Sequence, residues 1–130
     1  MYLLDTNIVA FYFRGNKNVI NKIINIGFEN CFISEITIAE LKYGALKSEN
    51  LERHTKLIEN FVKDINVIGI TDILNCYAFE KVRLEKLGNK LDNFDLLIGT
   101  TAIVNDLVLV TNNTKHLQRM SIKHIEDWTI

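Results

Sequence analysis

The chain alternates short, wholly apolar runs with longer segments in which apolar residues recur every three or four positions. Tyr2–Leu4, Cys31–Ile33, Val67–Ile70 and Leu107–Val110 are runs of the first kind, and a last, weaker one lies near His124–Ile125. Such short continuous runs suit strands buried on both faces. Between them, Ile8–Phe13, Val19–Ile26, Glu35–Lys47 and Leu51–Val62 read as helices. So do a long segment from Thr71-Asp72 to near Gly88, a mostly buried one at Leu96–Val104, and a short one around His116–Met120. Ser34 is placed to cap the helix that follows it, and Gly27 to close the one before it. Arg14–Asn18 and Asn105-Asp106 read as polar connections. Strand and helix alternate throughout, the pattern of right-handed βαβ units and a parallel sheet. The expectation is an α/β chain with one domain over residues 1–130.

In that frame Asp5 ends the first strand. The carboxyl edge of an open α/β sheet is where ligands bind. Asp5 also has a plain reading as the cap of the helix that begins at Thr6. Asp92 and Asp95 stand three apart at the start of an almost wholly apolar helix and should share a face. A helix dipole favours acids there, yet two neighbouring carboxylates beside a core repel and call for a cation. Oxygen-only ligands suit Mg²⁺ or Mn²⁺. The fourth strand runs into Thr111-Asn112-Asn113 at the same sheet edge as Asp5. That turn is an ordinary Asx turn, a further oxygen ligand, or the source of a hydrogen bond that orients a water or a carboxylate.

Composition narrows the chemistry. Hydrophobic residues make up 48% of the 130, enough for a real core. Formal net charge is −1, so no global basic field exists and any nucleic-acid contact must be local. Two cysteines, Cys31 and Cys76, form no motif and fit reduced thiols in a cytoplasmic protein. No signal peptide and no bilayer-spanning run is present in the sequence. His54, His116 and His124 lack metal-ligand spacing and read as surface or loop residues. Gly-rich phosphate loops, Gly-x-Ser-x-Gly elbows and Cys-x-x-Cys pairs are absent. What remains is carboxylates with a hard cation, a combination that activates water and stabilises charge on a phosphodiester.

Four stretches resemble the motifs of PIN-domain nucleases, in order and with suitable spacing. Leu4-Asp5-Thr6-Asn7 resembles the opening motif, and Ile38-Ala39-Glu40-Leu41-Lys42-Tyr43-Gly44 the second motif of the VapC-type toxin branch. Asp92-Asn93-Phe94-Asp95-Leu96-Leu97-Ile98-Gly99 resembles the third. Val110-Thr111-Asn112-Asn113, His116-Leu117 and Glu126-Asp127-Trp128 resemble the end of the same branch. The resemblance implies a three-layer α/β/α fold around a central, mostly parallel sheet. It implies an endoribonuclease that uses Mg²⁺ or Mn²⁺ and metal-activated water on RNA. It also implies a toxin paired with a small cognate antitoxin, and a homodimer.

Carried over residue by residue, Asp5, Glu40 and Asp95 are the catalytic, metal-binding acids, with Asp92 as an outer ligand. Many relatives have an acid at Asn113 or at His116. This chain has neither, which leaves Asn113 as a neutral ligand or a group that positions water. Arg14, Lys17 and Lys42 are the first candidates to hold the RNA backbone, and Phe11, Tyr12, Phe13, Tyr43 and Leu46 to meet an antitoxin. Two rival chemistries fit worse. A haloacid-dehalogenase-type phosphatase needs an acid where Asn7 stands. A response-regulator receiver needs an acidic pair after the first strand, where Thr6 follows Asp5. A silent module that only binds RNA or a protein remains the alternative.

Overall fold

In the computed structural model, which describes residues 1–130, the apolar runs assemble into one five-stranded parallel sheet. Its strands are β1 (Tyr2–Leu4), β2 (Cys31–Ser34), β3 (Asn66–Ile68), β4 (Val108–Val110) and β5 (Ile125–Glu126). The helices are α1 (Thr6–Phe13), α2 (Lys17–Ile26), α3 (Glu35–Lys47), α4 (Leu51–Asp64), α5 (Leu74–Lys86), α6 (Asn93–Asn105) and α7 (Thr114–Leu117).

Strand order is β3-β2-β1-β4-β5. The chain builds outward from β1 through β2 to β3, then returns to the other side of β1 for β4 and β5. Leu3 pairs in register with Phe32 on one side and Leu109 on the other. The order therefore reverses between β1 and β4, and a crevice opens beyond the carboxyl ends of those two strands.

Because successive side chains leave a strand on opposite faces, each strand feeds two cores. Leu4, Cys31, Ile33 and Val110 pack with Ile8, Val9, Ile23 and Phe61 of the α1, α2 and α4 layer, and with Trp128. Leu3 and Leu109 pack instead with Leu84, Leu96, Ile98, Ala102 and Leu117 of the α5–α7 layer. Burial on both faces is the reason the strands read as unbroken apolar runs. Burial also pushes the Cys31 thiol up to about 11, with Glu29 adding to the shift.

Several boundaries differ from the sequence expectation, each for a local reason. β3 stops at Ile68, not Ile70. The Ile70 amide leaves the sheet and donates to Glu35 Oε1 at 3.0 Å, and a 3₁₀ turn at Thr71–Ile73 leads into α5. α2 begins at Lys17, so the expected loop is shorter; Asn16 caps it, accepting from the Val19 amide at 3.2 Å. α6 begins at Asn93 because the Asp92 carboxylate caps it, accepting from the Phe94 amide at 3.1 Å. α7 begins at Thr114 and ends at Leu117, earlier than the expected helix. Ser34 caps α3 as expected, accepting from the Ile36 amide at 3.0 Å.

One buried ion pair ties the α5–α7 layer together. Glu80 on α5 is only 1% exposed. It accepts from Arg83 Nε at 2.6 Å and from the Ser121 amide at 2.8 Å, while Arg83 Nη2 donates to the Arg119 carbonyl at 3.1 Å. This anchors the segment after α7, whose Met120 lies over Gly99. A Cβ at Gly99 would overlap the Met120 side chain, so glycine lets α6 approach closely.

Candidate active site

Asp5 leaves β1 at the point where strand order reverses. Its amide donates to the Val110 carbonyl at 2.9 Å, continuing the β1–β4 ladder. Its carboxylate is 5% exposed and caps α1, Oδ1 accepting from the Thr6 amide at 2.8 Å. Oδ2 accepts from the buried Thr111 hydroxyl at 2.8 Å, and that hydroxyl accepts from the Asn113 amide at 3.0 Å. The plain reading of Asp5 as a cap is therefore true, and it fixes the carboxylate in place. Sequence reading allowed this turn a hydrogen bond that orients a carboxylate without naming Thr111 as the donor; its position one residue past β4, beside β1, was the available signal.

Thr6 joins Asp5 to the second acid. Its hydroxyl donates to Glu40 Oε1 at 2.7 Å and lies 3.0 Å from the Thr37 hydroxyl. Glu40, half-buried on α3, is thereby drawn to the end of β1. Asp95 is half-buried in the first turn of α6, which packs against α3. Asp92, exposed at the cap of α6, completes the group.

These acids share an electrostatic environment. Burial raises Asp5, and the Thr111 and Thr6 hydrogen bonds only partly offset it. Burial also raises Glu40, with the negative charges of Asp5 and Asp92 adding to the shift against the Thr6 hydrogen bond. Asp95 rises from its ordinary 3.8 to about 6, through burial first and then repulsion from Asp5, Asp92 and Glu40. Neither of the chain's two ion pairs, Glu80–Arg83 and Asp106–Lys123, touches the group.

The donor set fits a hard divalent cation: oxygen-only, anionic, mutually repelling and without a protein cation. No three acids, histidines or cysteines are closed into a ready-made metal cage.

Asn113 is committed elsewhere. Its Oδ1 lies 2.6 Å from His116 Nδ1, and its amide holds Thr111. Asn113 and His116, the two neutral residues singled out in the sequence, thus bond to each other. Among the expected RNA contacts, exposed Arg14 lies in a groove of about 390 Å³ that Thr6 and Glu40 also line. Lys42 lines a different groove, on the far side of α3 and α4, and Lys17 is exposed in the first turn of α2. The first groove also holds Arg53 and a half-buried His54, neither of which was anticipated. His54 was expected on the surface. The packing of α4 against α3, which the sequence pattern does not specify, turns it inward.

The model of the PIN domain matches residues 2–123. The chain belongs to the PIN-domain family. Among relatives of this PIN-domain chain, the tRNA(fMet)-specific endonuclease VapC of Shigella flexneri is 32% identical, with 98% of each chain covered. Ribonuclease VapC1 of Haemophilus influenzae is also 32% identical, covering 99% of this chain and 98% of its own. Among solved structures, VapBC2 of Rickettsia felis bound to a promoter DNA fragment superposes with a TM-score of 0.91 at 30% identity, covering 98% of both chains. DNA-bound VapBC of Salmonella typhimurium gives 0.91 at 30% identity, covering 98% and 97%. The flanked parallel sheet is thus the PIN fold.

Proposed function

We propose that this PIN-domain chain is an endoribonuclease dependent on Mg²⁺ or Mn²⁺, and the toxin of a toxin–antitoxin pair. The observation that carries the reading is the group of Asp5, Glu40 and Asp95: three carboxylates at the strand-order reversal, all raised in pKa, with no protein cation among them. The relatives named as VapC ribonucleases support the reaction, and the VapBC complexes support an antitoxin partner.

When bound there, a dication lowers the pKa of water and offsets charge developing on a phosphodiester. The chain's own residues prepare the place. Thr111 and the Thr6 amide hold both oxygens of Asp5, so this acid needs no reorientation. The Thr6 hydroxyl holds one oxygen of Glu40 and leaves the other free. Asp95, with a pKa of about 6, is largely ionised at neutral pH. Asp92 adds negative charge at the rim. Asn113, hydrogen-bonded to His116, supports Thr111 through its backbone amide and is a neutral group at this edge.

Arg14 and Arg53 offer positive groups for RNA phosphates along the groove between α1, α3 and α4 that Glu40 and His54 also line. Phe13 and Leu57 line the same groove, and exposed Tyr43 and Leu46 lie on α3. This mixed surface suits an antitoxin segment with apolar and charged residues. Tyr12 and Phe13 also stack with Phe28 and Phe61, so these aromatics serve the core as well. No helix is long and apolar enough to cross a membrane.

The test is cleavage of RNA by purified protein with and without Mg²⁺. Asp5→Asn should lower the rate by about a hundredfold or more, the scale of losing one preorganised electrostatic contact. Retained cleavage in Asp5→Asn would place the chemistry elsewhere. RNA binding with no cleavage by the wild type would favour a silent module.

A further inference from the structure

On the α6 side of the acids lies a second cavity, of about 280 Å³, between the second half of α5 and the segment leading into α6. Lys81, Lys90, Glu85, Asp92 and Asn93 supply its polar lining. Asp92 is a shared wall: it lines this cavity and its charge acts on both Glu40 and Asp95.

Lys81 is the one lysine of the chain that is not exposed. No carboxylate pairs with it. Instead its Nζ donates to Asn93 Oδ1 at 2.9 Å and lies 5.8 Å from the centre of the Tyr77 ring, one helical turn earlier. The Tyr77 hydroxyl donates to the same Asn93 oxygen at 3.2 Å. An ammonium can only donate, so the atom facing Lys81 must be the amide oxygen, and the orientation of Asn93 is settled. With both lone pairs of that oxygen engaged, the donors left free in the cluster are the Asn93 NH₂ and the remaining protons of Lys81, and the one acceptor left is the Tyr77 oxygen. Lys90 adds another ammonium. Every polar group left unspent by Lys81, Asn93 and Lys90 is a donor.

We propose that this cavity is an RNA subsite, in which Lys81 and Asn93 grip a phosphate of the strand next to the cleaved bond. The proposal rests on the nuclease reading for its place beside the cleaved bond, while the binding itself is separable. Glu85 and Asp92 line the same cavity, so it carries no broad positive field. Recognition there depends on placed donors, and a held ammonium costs less to order than a free surface lysine. Arg14, Lys17 and Lys42 lie close in sequence to the acid motifs. Lys81 lies on a different helix and is brought in only by the packing of α5 on α6.

The experiment measures binding of a short, fluorescent, single-stranded RNA of mixed sequence by anisotropy, across a salt series. All variants carry Asp5→Asn, so that cleavage does not intrude. Adding Lys81→Gln should weaken binding several-fold and reduce the slope of log affinity against log salt by about 1. Lys22→Gln, which removes the same charge from the exposed face of α2, should change neither by a comparable amount. Asn93→Asp keeps an oxygen for Lys81 and Tyr77 but replaces the two amide donors with a carboxylate. It should weaken binding while the melting temperature holds. Three results would each overturn the subsite: no RNA binding, Lys81→Gln matching Lys22→Gln, or Asn93→Asp binding RNA as tightly as its parent. Mg²⁺-dependent cleavage by the wild type, assayed separately on the same RNA, decides the nuclease reading whatever the outcome.

Discussion

Two groups of buried acids in this chain have opposite fates. Glu80 is fully enclosed and satisfied: Arg83 pairs with it and the Ser121 amide donates to it. Burial alone would raise its pKa, but those hydrogen bonds and the Arg83 charge outweigh burial and lower it. Asp5, Glu40 and Asp95 receive hydrogen bonds at most from threonines and a backbone amide, face one another's charge, and are all raised. A carboxylate that the chain itself neutralises holds the fold together. A set that the chain leaves unneutralised is where the proposed dication would bind.

The largest stability effect should come from the satisfied acid. Glu80→Ala removes one partner of a buried pair, which costs about 3 kcal/mol, the low end of the usual range because Arg83 can reach water. The melting temperature should fall by roughly 10 °C. Asp95→Asn should cost far less, or stabilise the metal-free protein, since it relieves repulsion. Calorimetric melts of both variants in a chelator check the contrast; equal losses would erase the distinction between the two groups.

A smaller effect, of opposite sign for the two groups, should appear in the pH dependence. Between about pH 4 and pH 6 the folded metal-free protein retains the Asp95 proton that the unfolded chain releases. Asp95 therefore contributes stability that is present below pH 4 and lost as pH rises through about 6. Glu80, lowered from 4.5, contributes stability that is present above pH 4.5 and lost only on acidification below it. Melts of the chelated protein from pH 5 to pH 7 should thus show a decline that Asp95→Asn flattens and Glu80→Gln leaves in place. A decline unchanged in Asp95→Asn would assign the titration to another group.

The same contrast explains what was legible in the sequence. Strands buried on both faces announce themselves as apolar runs, so the parallel sheet was readable, and Asp5 followed from its place at the end of one run. Asp95 followed, with Asp92, from a pair of acids at the start of an apolar helix, whereas Glu40 was reached only through motif resemblance, because a mid-helix position alone does not say which face meets another helix. The turn of Thr111 and Asn113 was visible at the right edge, and a hydrogen bond from it to a carboxylate was among its readings, but Thr111 as the donor and the Asn113–His116 contact were not legible. Glu80, Lys81 and Arg53 were not legible at all. Each sits in an ordinary charged stretch of helix and acquires its surroundings only when α5 packs on α6 or α4 on α3. The early end of β3 was equally hidden, since it depends on Glu35 accepting from the Ile70 amide.

The central claim is that the three unneutralised acids act together on one dication. Calorimetric titration of Mn²⁺ at neutral pH into the wild type, Asp5→Asn, Glu40→Gln, Asp95→Asn and Glu80→Gln tests it most directly. Each of the first three substitutions should weaken binding by about tenfold or more, because affinity for a hard cation follows the number of anionic ligands. Glu80→Gln should bind Mn²⁺ as the wild type does. Wild-type affinity in both Asp5→Asn and Asp95→Asn would contradict the account.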